Sequence, residues 1–234
     1  MKTLATTCIC LLLTVLGLQQ GKAQSFVVGA WQAQTDSVTT VMLITPDYFT
    51  VTSYTPHRFI STMGGTWVGT GDHSATTNIE FNSANKSQVG QHPDASADFE
   101  GENLVVNLDG QRYTFSRLDD GSAALAGCWQ ITARDRDGKM SPMQPGPRKT
   151  IKILTGTRFQ WVAINTQTGE FFGTGGGTYT FENNVYTENI DFFSRDNSRV
   201  GASLEFKGAV NGNKWDHSGK SSKGDPIHEE WTRK

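Results

Sequence analysis

Apolar residues along this chain fall in short runs that alternate with polar ones, and turn-forming residues separate the runs. A period of two over four to eight residues marks a strand with one buried face. In the first half the pattern predicts strands at 27–34, 39–45, 48–54, 66–71, 76–82, 97–100, 104–108 and 111–118. In the second half it predicts them at 129–134, 148–154, 158–165, 177–181, 186–193, 202–210, 214–218 and 227–233. Thr45-Pro46-Asp47, Glu182-Asn183-Asn184 and Asn211-Gly212-Asn213 supply turns, and Asp109-Gly110 is a two-residue hairpin signal. Residues 136–148, rich in proline and glycine, read as an irregular loop. No stretch reads as a helix.

The two halves are copies. Val28-Gly29-Ala30-Trp31 is echoed by Ala126-Gly127-Cys128-Trp129, and Gly64-Gly65-Thr66-Trp67 by Gly176-Gly177-Thr178-Tyr179. Asn78-Ile79-Glu80-Phe81 recurs as Asn189-Ile190-Asp191-Phe192, and each copy closes on an aromatic two residues before an arginine, Phe115 with Arg117 and Trp231 with Arg233. Ordered anchors with a slowly drifting offset indicate duplication, with loop insertions absorbing the drift. Eight hairpin-connected strands per copy make an up-and-down meander, and closing it removes the exposed sheet edges. The expectation is an all-β chain of two small antiparallel barrels, at 24–118 and 125–234, joined by a polar linker at 119–124.

Residues 1–23 read as a cleaved secretory signal: Lys2, an apolar stretch from Leu4 to Leu18, and a small-residue context ending at Ala23. The expected location is therefore secreted or periplasmic. Cleavage removes Lys2 and Lys22, so the formal charge goes from −2 to −4. That acidity, without basic runs, argues against nucleic acid and anionic membrane surfaces as partners. No later segment has the roughly 18 apolar residues of a transmembrane helix. Cleavage also leaves Cys128 as the sole cysteine, which excludes an internal disulfide and reads as a small buried side chain.

Gly29 and Trp31 with Arg117, and Gly127 and Trp129 with Arg233, resemble the lipocalin signature of the calycin superfamily. Phe159-Gln160-Trp161, Tyr186-Thr187-Glu188, Trp215-Asp216-His217 and Trp231-Thr232-Arg233 widen the likeness to uncharacterised secreted bacterial proteins with lipocalin-like domains. The resemblance implies that each tryptophan plugs the closed end of its barrel and each arginine packs across it. A guanidinium over an indole face adds about 0.5–2 kcal/mol of cation–π attraction. Each copy is shorter than a typical lipocalin, which implies a small or filled interior.

Strand parity sorts the candidate chemistry. Ile190 and Phe192 carry Tyr186 and Glu188 inward, Trp231 carries Glu229 and Arg233, Trp215 carries His217, and Phe159 carries Trp161. The first copy has Ala75, Thr77, Val106 and Tyr113 at the matched positions. This asymmetry points to a site in the second barrel, with Trp161, Tyr186, Trp215 and Trp231 as walls and Glu188, His217 and Glu229 as polar contacts. The expected function is non-catalytic binding of a small, partly apolar molecule, with no cofactor. The alternative is a module of the cell envelope with filled barrels and a protein partner, its polar cluster merely replacing core packing. An enzyme using Glu188 and His217 ranks third, since no nucleophile accompanies them. A mixed metal site at Glu188, His217 and Glu229 requires that they converge. The run Gly173-Thr174-Gly175-Gly176-Gly177 lacks the lysine and helix of a phosphate loop and reads as a bulge or barrel corner.

Overall fold

The computed structural model describes residues 26–108 and 110–234. The signal reading on residues 1–23 and Asp109 of the hairpin signal lie outside them. Strands β1 (Gly29–Gln34), β2 (Thr39–Ile44), β3 (Tyr48–Thr55), β4 (Arg58–Gly69), β5 (Ser74–Asn82), β6 (Asp94–Glu100), β7 (Asn103–Leu108) and β8 (Gln111–Asp119) pair in sequence order and close antiparallel through β1 and β8. The second copy repeats this with β9 (Gly127–Arg136), β11 (Arg148–Leu154), β12 (Arg158–Asn165), β13 (Glu170–Glu182), β14 (Val185–Phe193), β15 (Ser203–Asn211), β16 (Lys214–Lys220) and β17 (Pro226–Arg233), closed by β9 and β17. The protein is thus two tandem eight-stranded antiparallel barrels, and among the described residues no strand of one copy pairs with a strand of the other.

Three sequence expectations need correction. Residues 136–148 are not wholly irregular, because Lys139–Pro142 form β10, which pairs back on β9 from Ala133 to Arg136. The strands expected at 66–71 and 177–181 are the latter parts of the much longer β4 and β13, whose first halves lack a clean apolar alternation. Residue Asp119 does not belong to a free linker. It ends β8, and its carboxylate accepts hydrogen bonds from Ala30 N (3.1 Å) and Gly121 N (2.9 Å), and across to the second barrel from Thr155 Oγ1 (2.9 Å), Gly156 N (3.0 Å) and Thr157 N (2.8 Å). Burial opposes the ionised form, but the donors of Gly156, Thr157 and Gly121 outweigh it and hold the Asp119 carboxyl below its ordinary value.

The glycine pairs Gly64-Gly65 and Gly176-Gly177 sit at matching register shifts in β4 and β13. A Cβ at Gly65 would stand 1.8 Å from the Asn78 carbonyl oxygen, and one at Gly177 2.0 Å from that of Asn189. Only glycine lets the bulged strand approach its neighbour so closely, and the bulge bends the wall into a tight barrel. The frame shared by the two copies extends to polar contacts: Trp67 Nε1 donates to the Thr45 carbonyl at 2.9 Å, and Tyr179 Oη to that of Thr155 at 2.7 Å.

The barrels stand wall to wall. Ala30, Val41, Leu43, Tyr48, Tyr54 and Phe81 of the first form one buried layer with Cys128, Ile151, Ile153, Val162, Ile164 and Phe192 of the second. Alternation along β2 and β11 produces this, since the residues not facing the barrel interior face the other barrel. The layer is reciprocal: β4 meets β14 while β5 meets β13, and Phe59 stacks on Phe171, its own counterpart, with ring centroids 6.3 Å apart. At its centre Gln160 is held by Thr52, Thr62 and Thr174, each at 3.0 Å. At one edge Glu80 accepts from Tyr48 (2.6 Å) and pairs with Lys149 (2.8 Å). Burial in this layer pushes the Cys128 thiol up to about 12, so it stays protonated and unreactive.

Candidate functional site

Each barrel has one end sealed in the same way. The Trp31 indole is fully buried and donates to Val27 O at 2.8 Å, while the Arg117 guanidinium lies 4.0 Å from its ring centre and donates to Phe26 O (2.8 Å) and Val28 O (3.1 Å). Trp129 donates to Leu125 O at 2.8 Å under the Arg233 guanidinium at 4.2 Å, and Arg233 donates to Ala124 O (3.0 Å) and Ala126 O. A glycine precedes each pair because the backbone there is left-handed, with φ +130° at Gly29 and +135° at Gly127, and at Gly29 a Cβ would also stand 2.2 Å from Asp119 O.

Inside the second barrel, Tyr186, Glu188, Trp215, His217, Glu229 and Trp231 are all buried. Trp161 is half-buried and packs edge-on against Phe193, with ring centroids 5.5 Å apart. Sequence reasoning missed the residue around which this cluster is built. Lys152 on β11 is only 4% exposed, and its ammonium lies 2.7 Å from Glu188 Oε1. The rings of Tyr186, Trp215, Trp231 and Phe206 surround that ammonium at 4.9, 5.1, 5.2 and 6.0 Å. A desolvated cation gains from aromatic faces and from its carboxylate together, which makes this burial tolerable. Glu229 accepts from Arg134 at 2.7 Å and from Trp231 Nε1 at 3.2 Å, and it faces His217 Nδ1 across a longer, weaker contact of 3.7 Å. Glu188 and Glu229 therefore belong to two separate ion pairs. Among the described residues, no group of three His, Cys, Asp or Glu side chains is arranged to hold a metal ion.

Burial pushes the His217 imidazole below its ordinary value, and the Lys152 charge adds to this, while Glu229 and Glu188 pull the other way. Burial works against the Glu229 carboxylate too, yet His217 and Arg134 hold it down at about 2. Both groups bind protons less readily in the folded chain than in the unfolded one, so stability falls as pH falls. His217 contributes to this loss from its unfolded value of 6.5 downward. Glu229 stabilises above 4.5 and loses that contribution as pH approaches 2, a loss of roughly 3 kcal/mol. Denaturant midpoints measured from pH 8 to pH 3 should therefore decline in two stages, and His217→Phe should abolish the first. A flat midpoint between pH 7 and 5 in the unmutated protein would show that His217 is not held neutral.

The first barrel uses smaller side chains on the same frame. Met42 stands at the place of Lys152, Ala75 at that of Tyr186, Thr77 at that of Glu188, Leu104 at that of Trp215, and Val106 at that of His217. The space those bulky groups fill in the second barrel is open here as a cavity of about 310 Å³. Met42, Ile44, Phe49, Trp67, Val106 and Leu108 form its apolar walls, Ala75, Ala95 and Ala97 provide its width, and residues 70–74 form its polar rim. The cavity lies beside a short seam, where β5 and β6 pair only from Ser74 to Thr76 with Asp94 to Ser96. The signal available in the sequence was the run of alanines at inward positions, read against tyrosine in the second copy.

These observations define a class: tandem small antiparallel barrels, each sealed by a tryptophan and an arginine, one with its interior occupied by buried aromatic and charged side chains and one holding a cavity. Residues 124–234, the second barrel, match the family described as a domain of unknown function (DUF4488). No curated protein matches the chain.

Proposed function

We propose that this is a non-catalytic binding protein that holds a small, partly apolar molecule in the first barrel. The observation that carries the proposal is the cavity of about 310 Å³, at the lower end of the roughly 300–1,000 Å³ of small-molecule sites, with apolar walls and a polar rim. The site is thus moved from the second barrel, where Tyr186, Glu188, Trp215, His217 and Trp231 pack on one another and on Lys152. Aromatic residues that look like ligand walls in the sequence serve there as filling. The exported location belongs to this proposal, on the composition of residues 1–23.

The packing of the second barrel favours a second reading for that half alone, a solid module that backs the first barrel or meets a cell-envelope protein. Catalysis by Glu188 and His217 has the least support, because both are sealed from solvent and Glu188 is committed to Lys152.

Ala75→Tyr, which installs the residue found at the matched position of the second barrel, tests the proposal. Calorimetric titration of 2-phenylethanol into the whole chain should show binding that Ala75→Tyr weakens at least about tenfold, with the unfolding midpoint kept or raised by the filled void. Native mass spectrometry of protein purified gently from its source should show a retained small molecule that Ala75→Tyr releases. Undiminished binding in that variant would remove the ligand from the first barrel.

A further inference from the structure

Resting on that reading, we propose that the first barrel selects molecules whose polar end is a cation, an amine or ammonium on a small apolar body, and discriminates against carboxylates. The cavity makes the site, and three independent features set its sign. First, among the described residues no lysine or arginine lines the cavity, nor the shallower hollow of about 430 Å³ on the same seam. Among the described residues His73 is the one lining group able to carry positive charge, and it is bonded to the Ala97 carbonyl at 3.2 Å with the Asp98 carboxylate 3.6 Å away.

Second, the rim carries free acid. Asp72 lines the cavity, is exposed, and makes no hydrogen bond or ion pair among the described residues. Asp94 lines the adjoining hollow and accepts from the neutral hydroxyl of Thr76 at 3.2 Å. A carboxylate guest would place its charge against these groups, whereas an ammonium would pair with Asp72 while its apolar body lies on Met42, Phe49 and Leu108. Third, the charge of the molecule is unevenly shared. Residues 26–118 hold nine acidic side chains against four basic ones, and residues 119–234 hold fourteen against fifteen. The hollow barrel therefore carries the negative field and the solid barrel is close to neutral, so cations are steered toward the cavity. The volume of about 310 Å³, at the lower end of small-molecule sites, suits a guest of about the size of one ring with a short tail.

The test is a series matched in shape and differing in charge: 2-phenylethylammonium, 2-phenylethanol and phenylacetate, titrated into the whole chain at low and at high salt. The ammonium should bind about two- to fivefold more tightly than the alcohol, with the carboxylate weakest, and high salt should compress the order. Asp72→Asn, at an exposed position, should cancel the ammonium's advantage over the alcohol. Phenylacetate binding as tightly as the ammonium, or an order indifferent to Asp72→Asn and to salt, overturns the charge preference while the cavity reading stands. Failure of all three, alcohol included, overturns the cavity reading and the preference with it.

Discussion

Replacing Lys152 with methionine, the residue at the matched position Met42, is expected to destabilise the protein by about 3–5 kcal/mol. The substitution keeps a long flexible chain in the same space, so packing loss is small. Its cost lies in Glu188, which would be left 4% exposed with its charge partner gone. A carboxylate there must stay ionised without compensation or take up a proton. The double variant Lys152→Met/Glu188→Gln removes the stranded charge and should recover at least half of the loss, because breaking a buried pair costs more than replacing it whole. Denaturant unfolding of the two single variants and the double gives the coupling between the residues. If the singles and the double simply add, the pair does not act as one unit, and the aromatic box rather than the ion pair holds Lys152 in place.

Val162→Asp is expected to cost about 4 kcal/mol or more, most of the margin of an ordinary domain. Val162 is fully buried in the layer between the barrels and touches neither barrel interior. An unpaired carboxylate there forces the walls apart, and Leu43, Tyr54, Ile151 and Ile164 then lose cover. Hydrogen exchange read by mass spectrometry should show protection lost in β2 and β3 of the first barrel as well as in β11 and β12. Protection unchanged across residues 39–55 would mean that the first barrel stands without its neighbour.

The barrels, the duplication and the inward parity of Tyr186, Glu188, His217 and Glu229 were legible because one face of each strand meets a core and alternation records it. But Phe192, taken as a second inward marker beside Ile190, lies past the register shift at Gly176-Gly177 and faces the other barrel. Lys152 was not legible for the opposite reason. In Thr150-Ile151-Lys152-Ile153 the isoleucines mark a buried face, and the lysine then belongs outside. In the fold that buried face meets the other barrel, so Lys152 turns inward. The first copy held the clue: Val41-Met42-Leu43-Ile44 is apolar at every position, which is how a strand covered on both faces reads. The placement of the hollow was missed by counting what an aromatic wall offers to a guest rather than the room it occupies. Ala75, Ala95 and Ala97 say little as chemistry and much as volume.

The stacking of Phe59 on Phe171 has a further consequence. A surface on which a residue meets its own copy is the surface of a two-fold dimer. The chain thus carries inside itself the contact by which two single-barrel polypeptides would pair, and a short connection makes that pairing intramolecular. The tether holds each half at an effective concentration on the order of millimolar, so association no longer depends on how much protein is present. Identical subunits would have to be both hollow or both solid. Joined as one chain, the halves are free to differ, and one can give up its interior to an ion pair and a ring of aromatics while its twin keeps an open space.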